Sequence, residues 1–522
     1  FRRQSSMAGL LMLEMLPLPW FLFLFPLFLL FVNYWFTMTG MTGRRQQHEN
    51  RHQPSPPGLP IIGHLHLLGS LPHVSLRSLA KKHGPDVMFL CLGAVPTLVV
   101  SSPRAAKAVL RTHDHVFASR PRSMVSEILM YGSSDIAFAP YDEHWRQARK
   151  LVTTHMLSLK KVQSSRNAAM EEVNMVMTKI NEAAAGGVVV DMSRLLKSFT
   201  YDMACRVVLG ESFRKEGQSK LLRDLIDDTS RILGGFNLEE YFPTLARVGV
   251  LKSLVCAKAE RVRRRWAYLL DKLIDERVSM DKSTVDNKDG DFIDILLSVQ
   301  HEYGLTRERM KALLTDVFFG STDTLSNTLE FTLAELMRKP CLLGKLQDEV
   351  RSIVPRGQES ITETDINKMT YLRAVMKESL RVYPVAPILA PHLAMADCNI
   401  DGYMVAAGTH VLVNVWAIGR DSSSWGDAEE FIPERFIYED SDVDVNFKGN
   451  DFQFLPFGSG RRMCPGINLA IANFELMLAN LMYHFEWELP PGVETKDINM
   501  TVVFGLTVRR KEKLLLIPKS YK

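Results

Sequence analysis

The sequence predicts a mainly α-helical protein with small β-sheets at its margin (α+β), preceded by a single membrane-spanning helix. Three observations predict this. Apolar residues recur at helical spacing over residues 141–155, 251–280, 307–337, 370–382 and 467–485. Extended segments cluster only near 87–101, 397–415 and 501–518. A charge-free apolar run occupies residues 16–36.

That run is long enough to span about 30 Å as a helix, the thickness of a bilayer core. Pro17, Pro19 and Pro26 lie inside or beside its first half, and prolines are tolerated in membrane helices. Tyr34 and Trp35 stand at its exit, where an interfacial belt belongs. Arg44, Arg45 and Arg51 follow it. With Met7 rather than Phe1 as the start, only Glu14 precedes it, so the charge asymmetry places the downstream body in the cytoplasm. No small-residue cleavage site precedes the arginines, which favours an uncleaved anchor over a secretory signal.

Residues 1–36 are therefore read as an anchor and 37–60 as a polar, then proline-rich hinge. The hinge ends in Pro54, Pro56, Pro57 and Pro60, a stiff extended segment. Residues 61–522 form the body. Gly93 and Pro96 between apolar runs predict a hairpin over 87–100. Residues 183–187 (Ala-Ala-Ala-Gly-Gly) and the charged run 281–291 read as linkers. Aromatics Phe236, Tyr241 and Phe242 suggest that 234–254 dips into a membrane surface.

Composition bounds the function. The chain has 522 residues, 46% hydrophobic and 23% charged, as a globular protein does. A net charge of +4 gives no global reason to expect nucleic acid as a partner. The six cysteines are scattered without a C-x-x-C pair, which argues against a disulfide framework or a zinc knuckle. Five read as small buried hydrophobes.

The sixth, Cys464, sits between Gly460 and Gly466 in a loop that opens onto an apolar helix. This setting suits a thiolate metal ligand. A helix amino terminus, Pro465 as its first residue, and Arg461 and Arg462 would each lower the thiol pKa. Gly460 and Gly466 would let backbone approach a flat cofactor, and Phe457 would shield the sulfur. Two further motifs accompany the loop. Glu378 and Arg381 are i,i+3 neighbours on a helical pattern, and Arg435 of a Pro-Glu-Arg-Phe box could complete a buried Arg–Glu–Arg set. Gly320, Ser321, Thr322, Asp323 and Thr324 interrupt a long apolar helix. Each motif alone has a plain structural explanation: an inert thiol, a surface pair, hydroxyls bonded to the preceding turn. Their joint occurrence in this order behind an anchor changes the reading.

Together these residues resemble the cytochrome P-450 family of haem-thiolate monooxygenases. The family's F-x-x-G-x-R-x-C-x-G pattern is met by Phe457, Gly460, Arg462, Cys464 and Gly466, and its W-x-x-x-R by Trp145 and Arg149. The hinge and the tail from Phe504 to Arg510 are similar to the plant endoplasmic-reticulum group, and in detail to grass members that oxidise indoles. The resemblance implies haem b, with Cys464 as the iron ligand whose electron donation favours O–O cleavage. It implies Trp145, Arg149, His392 and Arg462 at the haem propionates, with Phe457 and Gly466 beside the cofactor. His392 stands where many relatives carry Arg. Asp323 and Thr324 would deliver protons to the dioxygen being reduced, and Glu378, Arg381 and Arg435 would be structural. One departure matters: the family helix motif A-G-x-D-T-T/S here reads Gly320, Ser321, Thr322, Asp323, Thr324, Leu325, which adds a hydroxyl and removes another.

The implied reaction inserts one atom of dioxygen into a small lipophilic plant metabolite: indole-derived, terpenoid or phenolic. Electrons would come from NADPH through a membrane-bound flavoprotein reductase, with cytochrome b5 as a second candidate donor. Arg146, Lys150 and Arg461 are candidate docking charges. The body would face the cytoplasm on the endoplasmic reticulum. Met124, Phe318, Phe319, Ser321, Ile388, Leu389 and Phe504 are the expected substrate pocket. Two other classes are open at this level: a thiolate-haem isomerase or dehydratase that needs no reductase, and a non-catalytic haem-binding protein.

Overall fold

The computed structural model describes residues 24–29, 32, 53–210, 218–235, 237–244, 249–279, 290–358, 360–437 and 445–521. The expected anchor lies mostly outside these residues. Its described part, 24–29 and 32, is helical, with Leu24, Phe25, Leu27 and Phe28 exposed. No helix among the described residues is long and apolar enough to cross a membrane. Of the hinge, the part from Gln53 onward lies along the body, where the carbonyl of Pro54 accepts from the Phe89 N–H at 2.8 Å.

Strands β1 (Val87–Leu92) and β2 (Val95–Val100) form the expected antiparallel hairpin, with Gly93 at φ +64° in the turn. The other strands are short: β3 (Val190–Asp191), β4 (His392–Leu393), β5 (Cys398–Ile400), β6 (Tyr403–Val405), β7 (His410–Val413), β8 (Phe485–Glu488), β9 (Val502–Val503), β10 (Arg509–Arg510) and β11 (Leu515–Ser520). They pair as β1-β2-β7-β4, β3-β11-β8, β5-β6 and β9-β10. Strand β7 joins β2 in parallel from Thr97 onward, so Pro96, which has no N–H, falls just outside that ladder.

Among the described residues, ten long helices carry the body: α1 (Pro72–His83), α2 (Glu143–Leu151), α3 (Arg166–Gly186), α4 (Met192–Leu209), α5 (Gln218–Leu233), α6 (Gly249–Ser279), α7 (Arg307–Arg338), α8 (Pro340–Ile353), α9 (Thr370–Val382) and α10 (Ile467–His484). Local chemistry sets their ends. The Thr306 side chain accepts from the Arg309 N–H at the start of α7, and α7 stops before Pro340, which opens α8. Residues 183–186, expected as a linker, are the last turn of α3. Gly187 at φ +60° caps that helix, which is the other use of a glycine after alanines. The charged run 281–291 lies outside the described residues except for its end, where Asp291 caps the next helical turn.

Helix α7 runs through the centre and belongs to two apolar clusters. Its first half gives Met310, Leu313, Leu314, Phe318 and Phe319 to a cluster with α4, α5 and α6. Its second half gives Leu325, Leu329, Leu333 and Leu336 to a cluster with α3, α8, α9 and α10. Burying each such side chain stabilises the fold by about 1.5–3 kcal/mol. The polar segment from Gly320 to Thr324 falls at the junction of the two. Tyr241 and Phe242 turn inward, correcting the expected membrane contact for these two. Tyr241 packs under the hairpin, its carbonyl accepts from the Ala94 N–H at 2.8 Å, and Phe242 lies against Gly93. Phe236 lies outside the described residues.

The Glu378 and Arg381 side chains on α9 are fully buried and meet in a fork, Nε to Oε2 at 2.6 Å and Nη2 to Oε1 at 2.7 Å. Arg435 joins at 3.1 Å. Arg381 also donates to the carbonyls of Gly419, Ala428 and Glu430 at 2.6–2.7 Å, while Glu378 accepts the Ile432 N–H at 2.6 Å. Removing one charge of such a cluster leaves the other buried without a counterion, at about 3–5 kcal/mol. Glu378→Gln should therefore lower the melting temperature sharply and reduce the folded yield; an unchanged thermal melt would contradict this role.

Candidate functional site

The cysteine loop is shaped by glycines with left-handed backbone. Gly458 and Gly460 have φ +71° and +66°. A Cβ on Gly460 would lie 2.2 Å from the Leu110 carbonyl oxygen, so this glycine serves a close approach to a neighbouring segment rather than to a cofactor. Gly458 is the one that lines the cavity described below. The Cys464 N–H donates to the Phe457 carbonyl at 2.9 Å and closes the loop. Helix α10 begins at Ile467 with Gly466 as its cap, so Pro465 stands before the cap and is not the first helical residue.

Cys464 is enclosed by the fold and faces an internal cavity of about 370 Å³. Burial pushes its thiol pKa up, against the opposing pull of the Gly466 N–H and the Arg149 guanidinium. The expected lowering by Arg461 and Arg462 is not what the structure gives. Arg461 pairs with Asp114 instead. Arg462 spends its donors on the carbonyls of Ala118, Ile136 and Ala139 at 2.6–3.0 Å. A buried thiol becomes a thiolate where a metal cation compensates the charge.

Three arginines gather near this cavity: Arg120 and Arg462 line it, and Arg149 is coupled electrostatically to Cys464. None of the three makes an ion pair with any described residue. Arg120 donates to the carbonyls of Ala137, Ala390 and Pro391 at 2.7–3.0 Å. Burial lowers its pKa to about 10, and burial together with Arg120 lowers that of Arg462 to about 9. Arg462 lies 4.1 Å from the Trp145 ring centroid, and the Trp145 indole N–H donates to Ile136 at 3.0 Å. His392 Nδ1 donates to the Phe117 carbonyl at 2.8 Å, which leaves Nε2 as the bare nitrogen of a neutral ring. Burial, then Arg120, holds its pKa well below 6.5. Asp135 offsets part of the charge on Arg120 and Arg462 without forming an ion pair, and an anionic group placed among the arginines would relieve the remaining cost of enclosing them.

Gly320, Ser321, Thr324 and Thr328 of α7 line the same cavity as Cys464. Thr324 Oγ1 donates to the Gly320 carbonyl at 2.8 Å and Ser321 Oγ to Val317 at 2.6 Å. Asp323 points instead toward α4, with Lys197 Nζ 3.6 Å from its Oδ1. Lys197 also pairs with Asp227 at 2.6 Å, and Asp227 accepts the Tyr201 hydroxyl at 2.8 Å. Lys197 and Asp227 are partly exposed, so this chain of groups reaches from solvent to the residue beside Thr324.

Of the expected pocket, Phe319, Ser321 and Leu389 line the cavity, as do Phe457, Arg462, His392 and Gly466. Met124, Phe318, Ile388 and Phe504 do not. Met124 lines a separate recess with Tyr131 and Cys256. Phe318 is core, packed on Trp266 at 5.7 Å. Ile388 packs against the hairpin cluster, and Phe504 stacks on His73 at 5.9 Å. Among the lining residues that escaped the sequence reading are Arg120, an arginine outside every motif, and Asp316, a carboxylate one turn before Gly320.

The residues present fit a haem. A single thiol faces the cavity, glycines leave its loop low, and unpaired cations stand where two carboxylates would be received. The comparisons with known proteins agree. The family described as Cytochrome P450 matches residues 54–517. An indole-2-monooxygenase of Zea mays is 54% identical over 90% of this chain and 87% of its own. An indolin-2-one monooxygenase of the same plant is 51% identical over 92% of this chain and 91% of its own. A zebra fish cytochrome P450 solved with progesterone superposes with a TM-score of 0.73, at 27% identity, over 86% of this chain and 99% of its own.

His392 generates a pH test. Its neutral form is favoured in the fold, so its contribution to stability is complete above pH 6.5 and is lost as the pH falls from 6.5 toward the lowered native value. His392→Gln keeps a donor for Phe117 and cannot titrate. The melting-temperature advantage of wild type over this variant should shrink below pH 6.5; a constant difference across that range would contradict the assignment.

Proposed function

Because the chain belongs to the cytochrome P450 family and is a haem-thiolate monooxygenase, we propose that it inserts one oxygen atom into a small lipophilic heteroaromatic compound of the indole class. Electrons come from NADPH through a membrane-bound flavoprotein reductase on the endoplasmic reticulum. The observation that carries the chemistry is that Cys464 and the Gly320–Thr324 turn line one cavity. The substrate class is supported by the relatives named for indole, indolin-2-one and 3-hydroxyindolin-2-one.

When bound, the haem supplies the activation of dioxygen. The chain's own residues do the rest. Cys464 Sγ would hold the iron, and Arg120, Arg149, Arg462 and His392 would hold the propionates, with Trp145 stacked behind Arg462. The apolar walls, among them Leu313, Phe319 and Leu469, exclude bulk water and favour an apolar ring. Protons enter from the Asp227 and Lys197 side and reach Asp323, whose neighbour Thr324 presents Oγ1 to the cavity. Ser321 adds a second hydroxyl on this wall, and Leu325 closes the core behind it. Arg146, Lys150 and Arg461 offer cationic positions to an acidic reductase face, with Arg146 and Arg461 already sharing charge with Glu143 and Asp114.

Two measurements test the reading. Cys464→Ser should abolish the long-wavelength carbon-monoxide band of thiolate-ligated ferrous haem; its persistence would exclude Cys464 as the ligand. Thr324→Ala should bind haem normally yet consume several-fold more NADPH per product formed, measured as peroxide release against product. Unchanged coupling would remove Thr324 from the proton path.

A further inference from the structure

Residues 136–139 form a strap whose two sides are held by opposite charges. On one side its N–H groups go to carboxyls. Ile136 and Ala137 donate to Asp316 Oδ2 of α7 at 2.6 and 3.2 Å, and Phe138 donates to Asp135 Oδ2 at 2.7 Å. On the other side its carbonyls receive the cavity arginines. Arg462 donates to Ile136 at 3.0 Å and to Ala139 at 2.6 Å, and Arg120 donates to Ala137 at 3.0 Å. The Ile136 carbonyl also accepts the Trp145 indole N–H at 3.0 Å. The strap belongs to no helix or strand, so nothing in its own backbone fixes these carbonyls. Asp316 ties it to the central helix, and the Phe138 ring stacks on Phe319 of that helix at 6.2 Å.

We infer that Asp316 and Asp135 are positioning residues for the haem: through residues 136–139 they hold the Arg120 and Arg462 guanidinium groups at the propionate edge, as a carboxyl pair with one negative charge between them. This rests on the reading above of Arg120 and Arg462 as propionate-binding groups, and names what holds them there. The two carboxyls divide the work. Asp135 is fully buried and offsets the charge of both arginines, although it pairs with neither. At Arg462 the Asp142 carboxylate adds to this pull and Arg149 opposes it. Burial raises the Asp135 pKa to about 6, and burial with the repulsion of Asp135 raises that of Asp316 well above the carboxylate range. At neutral pH Asp316 therefore keeps its proton and Asp135 carries the charge. Both strap N–H groups received by Asp316 use Oδ2, which leaves Oδ1 to bear that proton. Asp135 Oδ1, buried without a hydrogen-bond partner among the described residues, is an acceptor for it. Asp316 is thus the neutral peg of the strap and Asp135 its counter-charge.

The test uses the haem-loaded enzyme and two readouts: the rate of haem transfer to excess apomyoglobin, and the midpoint potential from an equilibrium redox titration. Asp316→Ala removes the acceptor of two strap N–H groups and should release haem several-fold faster. Asp316→Asn keeps an oxygen for them and an amide N–H in place of the acid proton, so it should restore wild-type retention and potential. Asp135→Asn keeps an oxygen for Phe138 but loses the charge. Its midpoint potential should rise, because less compensated guanidinium groups favour the more electron-rich ferrous haem. Wild-type haem loss in Asp316→Ala overturns the inference, as does an unchanged potential in Asp135→Asn. Where Asp316→Ala does not fold, the potentials decide: a rise in Asp135→Asn with none in Asp316→Asn supports the assignment, and any other pattern overturns it. Arg120→Gln and Arg462→Gln separate the two levels of the argument. If neither speeds haem loss, the propionate reading fails and this inference fails with it; if they do and Asp316→Ala does not, only this inference fails.

Discussion

The interaction on which the rest depends is the buried fork between Glu378 and Arg381. Among the described residues from Gly419 to Gly466 there is almost no regular structure, only short turns, yet this segment must deliver Cys464 to one place. Irregular backbone cannot satisfy its own carbonyls. Arg381 does this at Gly419, Ala428 and Glu430, and Glu378 does it for the N–H of Ile432. The pair is therefore less a source of net stability than a template, because two desolvated charges fix which segment lies where. Arg435 closes the set by donating to Gly426 at 2.8 Å. Downstream, Phe436 and Phe447 pack on Phe454, and Phe447 on Phe457, whose carbonyl holds the Cys464 N–H. The position of the sulfur is thus inherited, step by step, from helix α9.

How much of this was legible in the sequence follows from the range of the interactions. Helix α9 was legible to the residue, because Pro384 and its i,i+3 pair mark one amphipathic stripe. Helices α3, α4, α5 and α8 were not. Helix α4 buries Phe199, Thr200, Tyr201, Met203, Ala204 and Cys205 in near succession, so no single stripe stands out. The alanines and glycines at the end of α3 carry the composition of a linker and the geometry of a cap, and only the φ of Gly187 separates the two.

In the site, motif residues were legible because their neighbours are close in sequence, as with Phe457 and Cys464. Arg120 was not, since the carbonyls of Ala390 and Pro391 that hold it lie some 270 residues away. Arg461 and Arg462 illustrate the opposite error. Adjacent charges suggested a common effect on the thiol, but one turns to Asp114 and the other to three carbonyls, while Arg149 on α2 is the cation acting on Cys464. Asp316 did leave a signal. It is a carboxylate in the apolar stretch from Leu313 to Phe319, the same kind of exception that singled out Asp323 about two turns later.

The central helix then explains why the cavity is polar on two sides in opposite senses. Thr315, Ser321, Thr324, Thr328 and Thr332 each return their hydroxyl proton to the carbonyl four residues earlier, at 2.6–2.8 Å. A hydroxyl whose proton is committed in this way has only lone pairs left to offer. Where Ser321, Thr324 and Thr328 reach the cavity, α7 therefore presents acceptors. The opposite character belongs to the arginine edge, where Arg120 and Arg462 are donors only. A cavity polarised in this manner offers donors to anionic substituents at the arginine edge and acceptors along α7. Glycine at position 320, with nothing within 4 Å of the place a Cβ would take, leaves the space between them open.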